Sequence, residues 1–249
     1  MSAGLPVLWQ YSFSNYNEKA RWALDFKLIR HRRRSLLPGG PRSLAFSRGR
    51  GTLPVLDLDG ERIVDSTRII ATLEERWPEP ALYPADLEER RRALELEDFF
   101  DEHAGHDMRR VAFWEARAKQ RWVVDFMATD QPVAKRAALR ALMPGVQAVM
   151  RRRFAISRED AERSRAVLHA ALDRIEAEKD GREHLVGDQF TIADLTAASL
   201  LYPIAWPPEF PYELPVRPSS EFLDSLQNHP AVAWISETWR RHRGESAAV

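Results

Sequence analysis

A run of polar residues, Ser12, Ser14, Asn15 and Asn17, stands directly ahead of Glu18, Lys19 and Arg21, where Ala20, Ala23, Leu24 and Phe26 begin to recur near helical spacing. The first turn of a helix leaves N–H groups without intrahelical partners and carries a partial positive charge, so it favours an anion. A thiolate is such an anion. A hydroxyl donating to it would stabilise the charged form by about 1.5 to 3 kcal/mol, lowering an ordinary thiol pKa of about 8.5 by about one to two units. The chain contains no cysteine, so a thiol acting here has to be borrowed from a ligand. The same absence excludes a disulfide framework, a zinc site built on thiolates and redox cycling on the protein's own sulfur.

These residues also have a purely structural reading. Ser14 or Asn15 can cap the helix, and Asn15 with Glu18 fits the capping-box pattern. If Asn15 caps, the Ser14 hydroxyl is left for a ligand. Tyr11, at the end of the preceding apolar run, is the alternative donor.

Asp65 and Ser66 open a second helical stretch, Ser66 to Trp77, with Ile69, Ile70 and Leu73 on one face. A ligand carboxylate there can accept from the Ser66 hydroxyl and N–H, while Asp65 offers the opposite charge to an ammonium. Asp65 is equally a good N-cap in its own right. Pro54 opens a strand. A cis X-Pro bond at that point would turn the N–H and C=O of Leu53 outward to pair with a peptide backbone, whereas a trans proline would merely open an edge strand. Along Asp98 to Trp114, His103, His106, Asp107 and Arg110 share a helical face. Arg110 competes for the groups that would hold a metal, so this face reads as a cleft wall or a solvated surface, and no metal is expected.

The elements that must position these groups are legible from periodicity and turn chemistry. Val7 to Gln10 reads as a strand, Ser14 to Lys27 as a helix, and His31 to Leu37 as holding an edge strand. Arg32, Arg33 and Arg34 read as a solvated strand face, because no aromatic residue interleaves them for a nucleic acid. Leu53 to Leu58 and Glu61 to Val64 flank Asp59-Gly60, a hairpin signal. The order is therefore βαβ followed by ββα. Proline punctuation puts a boundary near Pro84 to Glu88, and Glu88 to Lys179 is helical, with breaks expected at Thr129–Pro132, Met143–Gly145 and Ile156–Ser157. Thr191 and Asp194 form a capping pair, with Phe190 and Leu195 as its staple. Pro203 to Pro218 holds six of the sixteen prolines, which predicts an extended surface loop, and Val232 to Arg243 predicts a last helix.

Lys plus Arg and Asp plus Glu each total 37, so no net field selects nucleic acid or an anionic membrane. The longest weakly apolar run, Leu195 to Trp206, is interrupted by Pro203 and falls short of the roughly 18 residues that span a bilayer. The start of the chain lacks a basic segment ahead of an apolar core, so a cytoplasmic protein is expected.

Five motifs, in order, resemble those of the cytosolic glutathione S-transferase superfamily. Tyr11 to Leu24 is similar to its serine motif, Gly51 to Leu56 to its cis-proline strand, and Val64 to Ile70 to its acidic-Ser helix start. Leu185 to Leu201 is similar to its helical capping motif and Asn228 to Arg241 to its usual ending. The resemblance implies an α/β thioredoxin-like domain (βαβ-ββα) over residues 1–84 that binds glutathione, joined to an all-α domain over residues 88–249. It further implies a homodimer that presents the glutathione thiolate to a small electrophile, as in detoxification; conjugation, dehalogenation and isomerisation share that step. Aligned on Lys19 to Arg21, Ser14 falls at the catalytic position of the serine-type classes, and Leu53, Pro54, Asp65 and Ser66 fall at the glutathione-binding positions. Tyr11, His106, Arg110, Phe113 and Trp114 become candidates for the second-substrate pocket, the two aromatics equally fitting core or dimer contacts. The sequence departs from the family at Asp65, where Glu is usual, and at Thr52, where many relatives carry Lys or Gln beside the glycyl carboxylate; Arg42, Arg48 and Arg50 are nearby substitutes. Those departures keep alive a rival reading, a non-catalytic docking module of the same fold, against which Ser14 argues.

Overall fold

A computed structural model describes residues 4–38, 45 and 53–249. Thr52, Arg42, Arg48 and Arg50, the positions considered for a glycyl carboxylate, lie outside the described residues.

The first part runs β1 (Val7–Gln10), α1 (Asn15–Phe26), β2 (Arg32–Ser35), β3 (Val55–Leu58), β4 (Glu61–Val64) and α2 (Ser66–Arg76). The strands form one mixed sheet in the order β2-β1-β3-β4, with β2 parallel to β1 and the other two pairs antiparallel. Register follows the alternation of side chains: Leu8 lies opposite Leu56 and Leu56 opposite Ile63, all buried. The hairpin closes through Asp59 and Gly60 at φ 50° and 84°, the two left-handed positions that a type I′ turn requires. Of the basic run, Arg32 and Arg34 are exposed while Arg33 turns in to Asp25 of α1 at 2.5 Å.

The second part is helical. α3 (Leu87–Phe99) continues through a π-helical segment, Phe100–Gly105, into α4 (His106–Glu115). Then come α5 (Gln120–Met127), α6 (Val133–Arg153), α7 (Arg158–Lys179), α8 (Ile192–Leu200), α9 (Tyr202–Ala205), α10 (Glu221–Ser225) and α11 (Pro230–His242). The break expected at Met143–Gly145 does not occur, because α6 runs on with Pro144 inside it. Pro144 removes one helical hydrogen bond, while Leu139 and Met143, in the turn that precedes it, are buried and anchor that part of the helix to the core. The proline-rich loop also begins later than expected: Pro203 sits in the first turn of α9, where a missing N–H leaves nothing unsatisfied. Trp122 and Trp206 then fasten the loop by donating to the carbonyls of Val216 and Pro215 at 2.8 and 3.1 Å. α8 is buried along its whole length and opens on the expected Thr191–Asp194 capping box, in which Asp194 also accepts from the Leu185 N–H at 2.8 Å.

α1 is the keystone between the two parts, packed against α2 on one side and α8 on the other. Trp22 lies against Trp239 with ring centroids 4.6 Å apart. Its charged residues are buried too. Lys19 reaches Glu97 and Asp101 at 2.9 and 2.5 Å, and Glu18 lies between Arg21 and Arg243, 2.6 Å from each. No helix among the described residues is long and apolar enough to cross a membrane.

Candidate functional site

The turn between β1 and α1 puts Ser14 at the N-cap of α1, with φ −81° and ψ 130°. Its carbonyl accepts the Glu18 N–H at 2.9 Å and its N–H donates to the Tyr11 carbonyl at 3.2 Å, while its hydroxyl makes no capping bond. The Asn15–Glu18 capping box is not formed. Asn15 is buried inside the helix, where its Nδ2 donates to the carbonyls of Gly105 and Leu200 at 3.2 and 3.1 Å, and Glu18 is held by its two arginines. Carbonyls and a guanidinium contributed by the helical part have outcompeted the local cap. Ser12 is also buried, and its Oγ has no hydrogen-bond partner among the described residues. Tyr11 is half-buried and stacks on Phe13 at 5.6 Å.

Three segments far apart in sequence meet at this turn. Asn17 binds the Tyr11 N–H through Oδ1 at 3.1 Å and donates through Nδ2 to the Leu53 carbonyl at 3.2 Å. The Leu53-Pro54 bond is cis, and the Pro54 carbonyl accepts the Asp65 N–H at 3.4 Å. Asp65 caps α2, its Oδ1 accepting from the N–H groups of Thr67 and Arg68 at 3.0 and 3.3 Å. Its φ of 90° is costly for any residue with a side chain, about 1–3 kcal/mol, so the surrounding structure holds it there. Ser66, the first residue of α2, is buried. Thr67 is tied to α1 through Lys19 Nζ at 2.9 Å. Burial alone would lower the Lys19 pKa, but Glu97 and Asp101 beside it outweigh that and the net shift is upward, so the ammonium stays charged.

Phe13 and Asn15, the residues on either side of Ser14, open into a cavity walled by Phe113, Trp122, Phe126 and Trp206 and reached by Arg109. Phe126 stacks on Trp122 at 4.9 Å and on Trp206 at 5.6 Å, which gives the cavity flat aromatic walls. Beside it, Tyr16 donates to the Asp101 carbonyl at 2.5 Å, and burial, reinforced by Asp101, pushes its pKa above the ordinary tyrosine range. Gly105 is required here, since a Cβ at that position would come within 2.5 Å of Tyr16 Oη.

The family model for the N-terminal domain of glutathione S-transferases matches residues 8–81, and that for their C-terminal domain matches residues 139–233. The chain belongs to the glutathione S-transferase superfamily. Solved structures share its fold. A glutathione S-transferase from Rhodospirillum rubrum is 22% identical with a TM-score of 0.63, the match covering 96% of this chain and 90% of that one. One from Methylobacterium radiotolerans, in complex with glutathione sulfonate, is 20% identical with a TM-score of 0.63 over 98% and 96% of the two chains. A possible glutathione S-transferase from Rhodopseudomonas palustris is 18% identical with a TM-score of 0.66 over 98% of each chain. No curated protein matches the sequence.

Within this member of the superfamily, the sequence-derived pocket residues divide. Phe113 lines the aromatic cavity. His106 is exposed, its ring 5.4 Å from that of Tyr16. Arg110 points away, bound to Asp107 at 2.5 Å, Ser164 at 2.8 Å and the Phe154 carbonyl at 3.2 Å. Trp114 lies under the Arg117 guanidinium at 3.9 Å and faces a separate hollow with Met127 and Met150. The cation that does reach the cavity, Arg109, is one position earlier on α4, a rotation of about 100°. Asn17 was also missed as a site residue, although it belongs to the polar cluster that drew attention to the turn.

Proposed function

We propose that the protein is a serine-type glutathione transferase, in which the Ser14 hydroxyl donates to the thiolate of glutathione and the aromatic cavity beside it receives the electrophile. The observation that carries this reading is the state of Ser14: it occupies a helix N-cap, where the backbone favours an anion, yet its hydroxyl is not spent on the cap. The Leu53 carbonyl retains a second lone pair beyond the one used by Asn17, and with the Leu53 N–H it can pair with the cysteinyl unit of the tripeptide. Both cap bonds to Asp65 fall on Oδ1, leaving Oδ2 for the ammonium of the γ-glutamyl group, with Ser66 for its carboxylate. The glutathione sulfonate complex of the Methylobacterium radiotolerans protein, which has the same fold, supports glutathione as the ligand.

The test is the ultraviolet absorbance of the glutathione thiolate titrated against pH, with and without protein. The bound thiol should ionise about one to two units lower than the free one. An unchanged pKa, or no binding, would leave the docking module as the better reading.

A further inference from the structure

Among the described residues, no carboxylate lies within ion-pair distance of Arg109. Arg110, next to it, is satisfied by Asp107, Ser164 and a carbonyl. Arg109 instead packs against rings: its guanidinium carbon is 4.2 Å from the centroid of Phe154 and 5.8 Å from that of Tyr16. Its Nε is shut off from solvent and has no hydrogen-bond partner among the described residues. No described carboxylate forms an ion pair with it, and the residues outside the description contain neither Asp nor Glu. The charge borders the cavity that Phe13 and Asn15 open beside Ser14, whose lining is otherwise largely apolar, with Phe113, Trp122, Phe126 and Trp206 as its aromatic walls. A guanidinium held in an apolar setting is an anchor for a planar anion, since its fork of donors matches a carboxylate.

We propose that the electrophile this protein accepts carries a carboxylate, which Arg109 binds while the flat, conjugated body of the molecule stacks among Phe113, Trp122, Phe126 and Trp206. The proposal rests on the reading of Ser14 and the cavity as a glutathione transferase site, and it adds the class of acceptor. Burial, with the like charge of Arg110, holds the Arg109 pKa below the ordinary arginine value, as befits a charge that lacks its partner.

Two matched probes test it, 4-chloro-3,5-dinitrobenzoate and the corresponding amide. In each, the glutathione sulfur forms a bond to the ring carbon that bears chlorine, and chloride departs with the bonding pair. With each catalysed rate divided by its uncatalysed rate, the wild type should favour the benzoate at least tenfold. Arg109→Gln should reduce that preference about ten- to a hundredfold, and Arg109→Lys should retain part of it. A preference absent in the wild type, or equal in wild type and Arg109→Gln, overturns the proposal. So does a loss of glutathione affinity in Arg109→Gln with the preference intact, which would assign the guanidinium to a glutathione carboxylate.

Binding of the unreactive 3,5-dinitrobenzoate and 3,5-dinitrobenzamide, followed by quenching of tryptophan fluorescence, separates this proposal from the catalytic reading. If glutathione proves not to be activated but the benzoate still binds at least tenfold more tightly than the amide in an Arg109-dependent manner, the anion site stands and only the transferase reading falls. Equal binding of the two probes removes the anion site even in an active transferase.

Discussion

Asn17 and Leu53, 36 residues apart, are joined by a hydrogen bond of 3.2 Å from the side-chain amide of one to the carbonyl of the other. The same side chain holds the Tyr11 N–H, so one carboxamide fixes the spacing between the Ser14 turn and the strand that begins at the cis proline. Asn17→Leu leaves the Tyr11 N–H and the Leu53 carbonyl without that partner. A loss of about 1–3 kcal/mol per stranded buried group is expected, together with weaker glutathione binding. Urea denaturation and calorimetric titration with glutathione check the two effects, and a variant as stable as the wild type would show that the bond does not hold the cleft.

Among the described residues Lys19 is the one cation paired with buried Glu97 and with Asp101, and it also donates to the Thr67 hydroxyl. Lys19→Met leaves two carboxylates facing each other without a countercharge, and a destabilisation of about 3–5 kcal/mol is expected. Adding Glu97→Gln should recover part of the loss, which a pure packing defect would not. The folded pKa is raised, so the stabilisation is complete below the ordinary lysine value and fades as pH rises through the folded one. Denaturation midpoints of wild type and Lys19→Met should therefore converge only in strongly alkaline solution.

His31 sets an acid limit. It is fully buried, its Nδ1 lies 2.8 Å from the Ile29 carbonyl and its Nε2 accepts from Arg33 Nε at 3.2 Å. A second proton would sit on Nε2 facing the guanidinium. Burial lowers the His31 pKa, so the unfolded chain takes up a proton that the folded chain refuses. Its contribution to stability is present above about pH 6.5 and is lost as the pH falls toward the folded value. His242 carries a shift of the same sign, also from burial, so the test is comparative. His31→Asn should show a shallower fall in unfolding free energy between neutral and mildly acid pH than the wild type, and equal slopes would remove His31 as a source.

The sheet, its hairpin and the α8 cap were legible because their signals are local: alternation at period two, Asp59-Gly60, and Thr191 three residues before Asp194. Lys19 and Glu18 look like surface charges in the sequence, since their partners Glu97, Asp101 and Arg243 come from the other part of the chain. The same distance explains Asn15, which reads as a cap until the Gly105 and Leu200 carbonyls are brought to it. On α4 the sequence establishes a helix but not its rotation. Its charges are spread around the helix, and only packing against α7 decides that Arg110 is used structurally while Arg109 turns to the cavity.

Ser14 carries the sharpest expectation, because its hydroxyl is the one group asked to stabilise charge on the bound thiol. The structure separates this role from capping: the hydroxyl makes no cap bond, so Ser14→Ala should leave the denaturation midpoint nearly unchanged. Glutathione binding should stay within a few-fold, since Leu53, Asp65 and Ser66 supply the other contacts. Losing one charge-assisted hydrogen bond of roughly 1.5 to 3 kcal/mol should raise the thiol pKa by about one to two units and cut turnover at neutral pH about ten- to a hundredfold, part of which returns at higher pH. Ser14→Cys should instead form a mixed disulfide with glutathione, because the new sulfur would sit beside the bound one at a helix N-terminus that favours a thiolate. Stability lost without a change in the pH profile would make the hydroxyl a cap after all. Full activity with an unaltered profile would pass the role to Tyr11, whose ring stacks on Phe13 at the same turn.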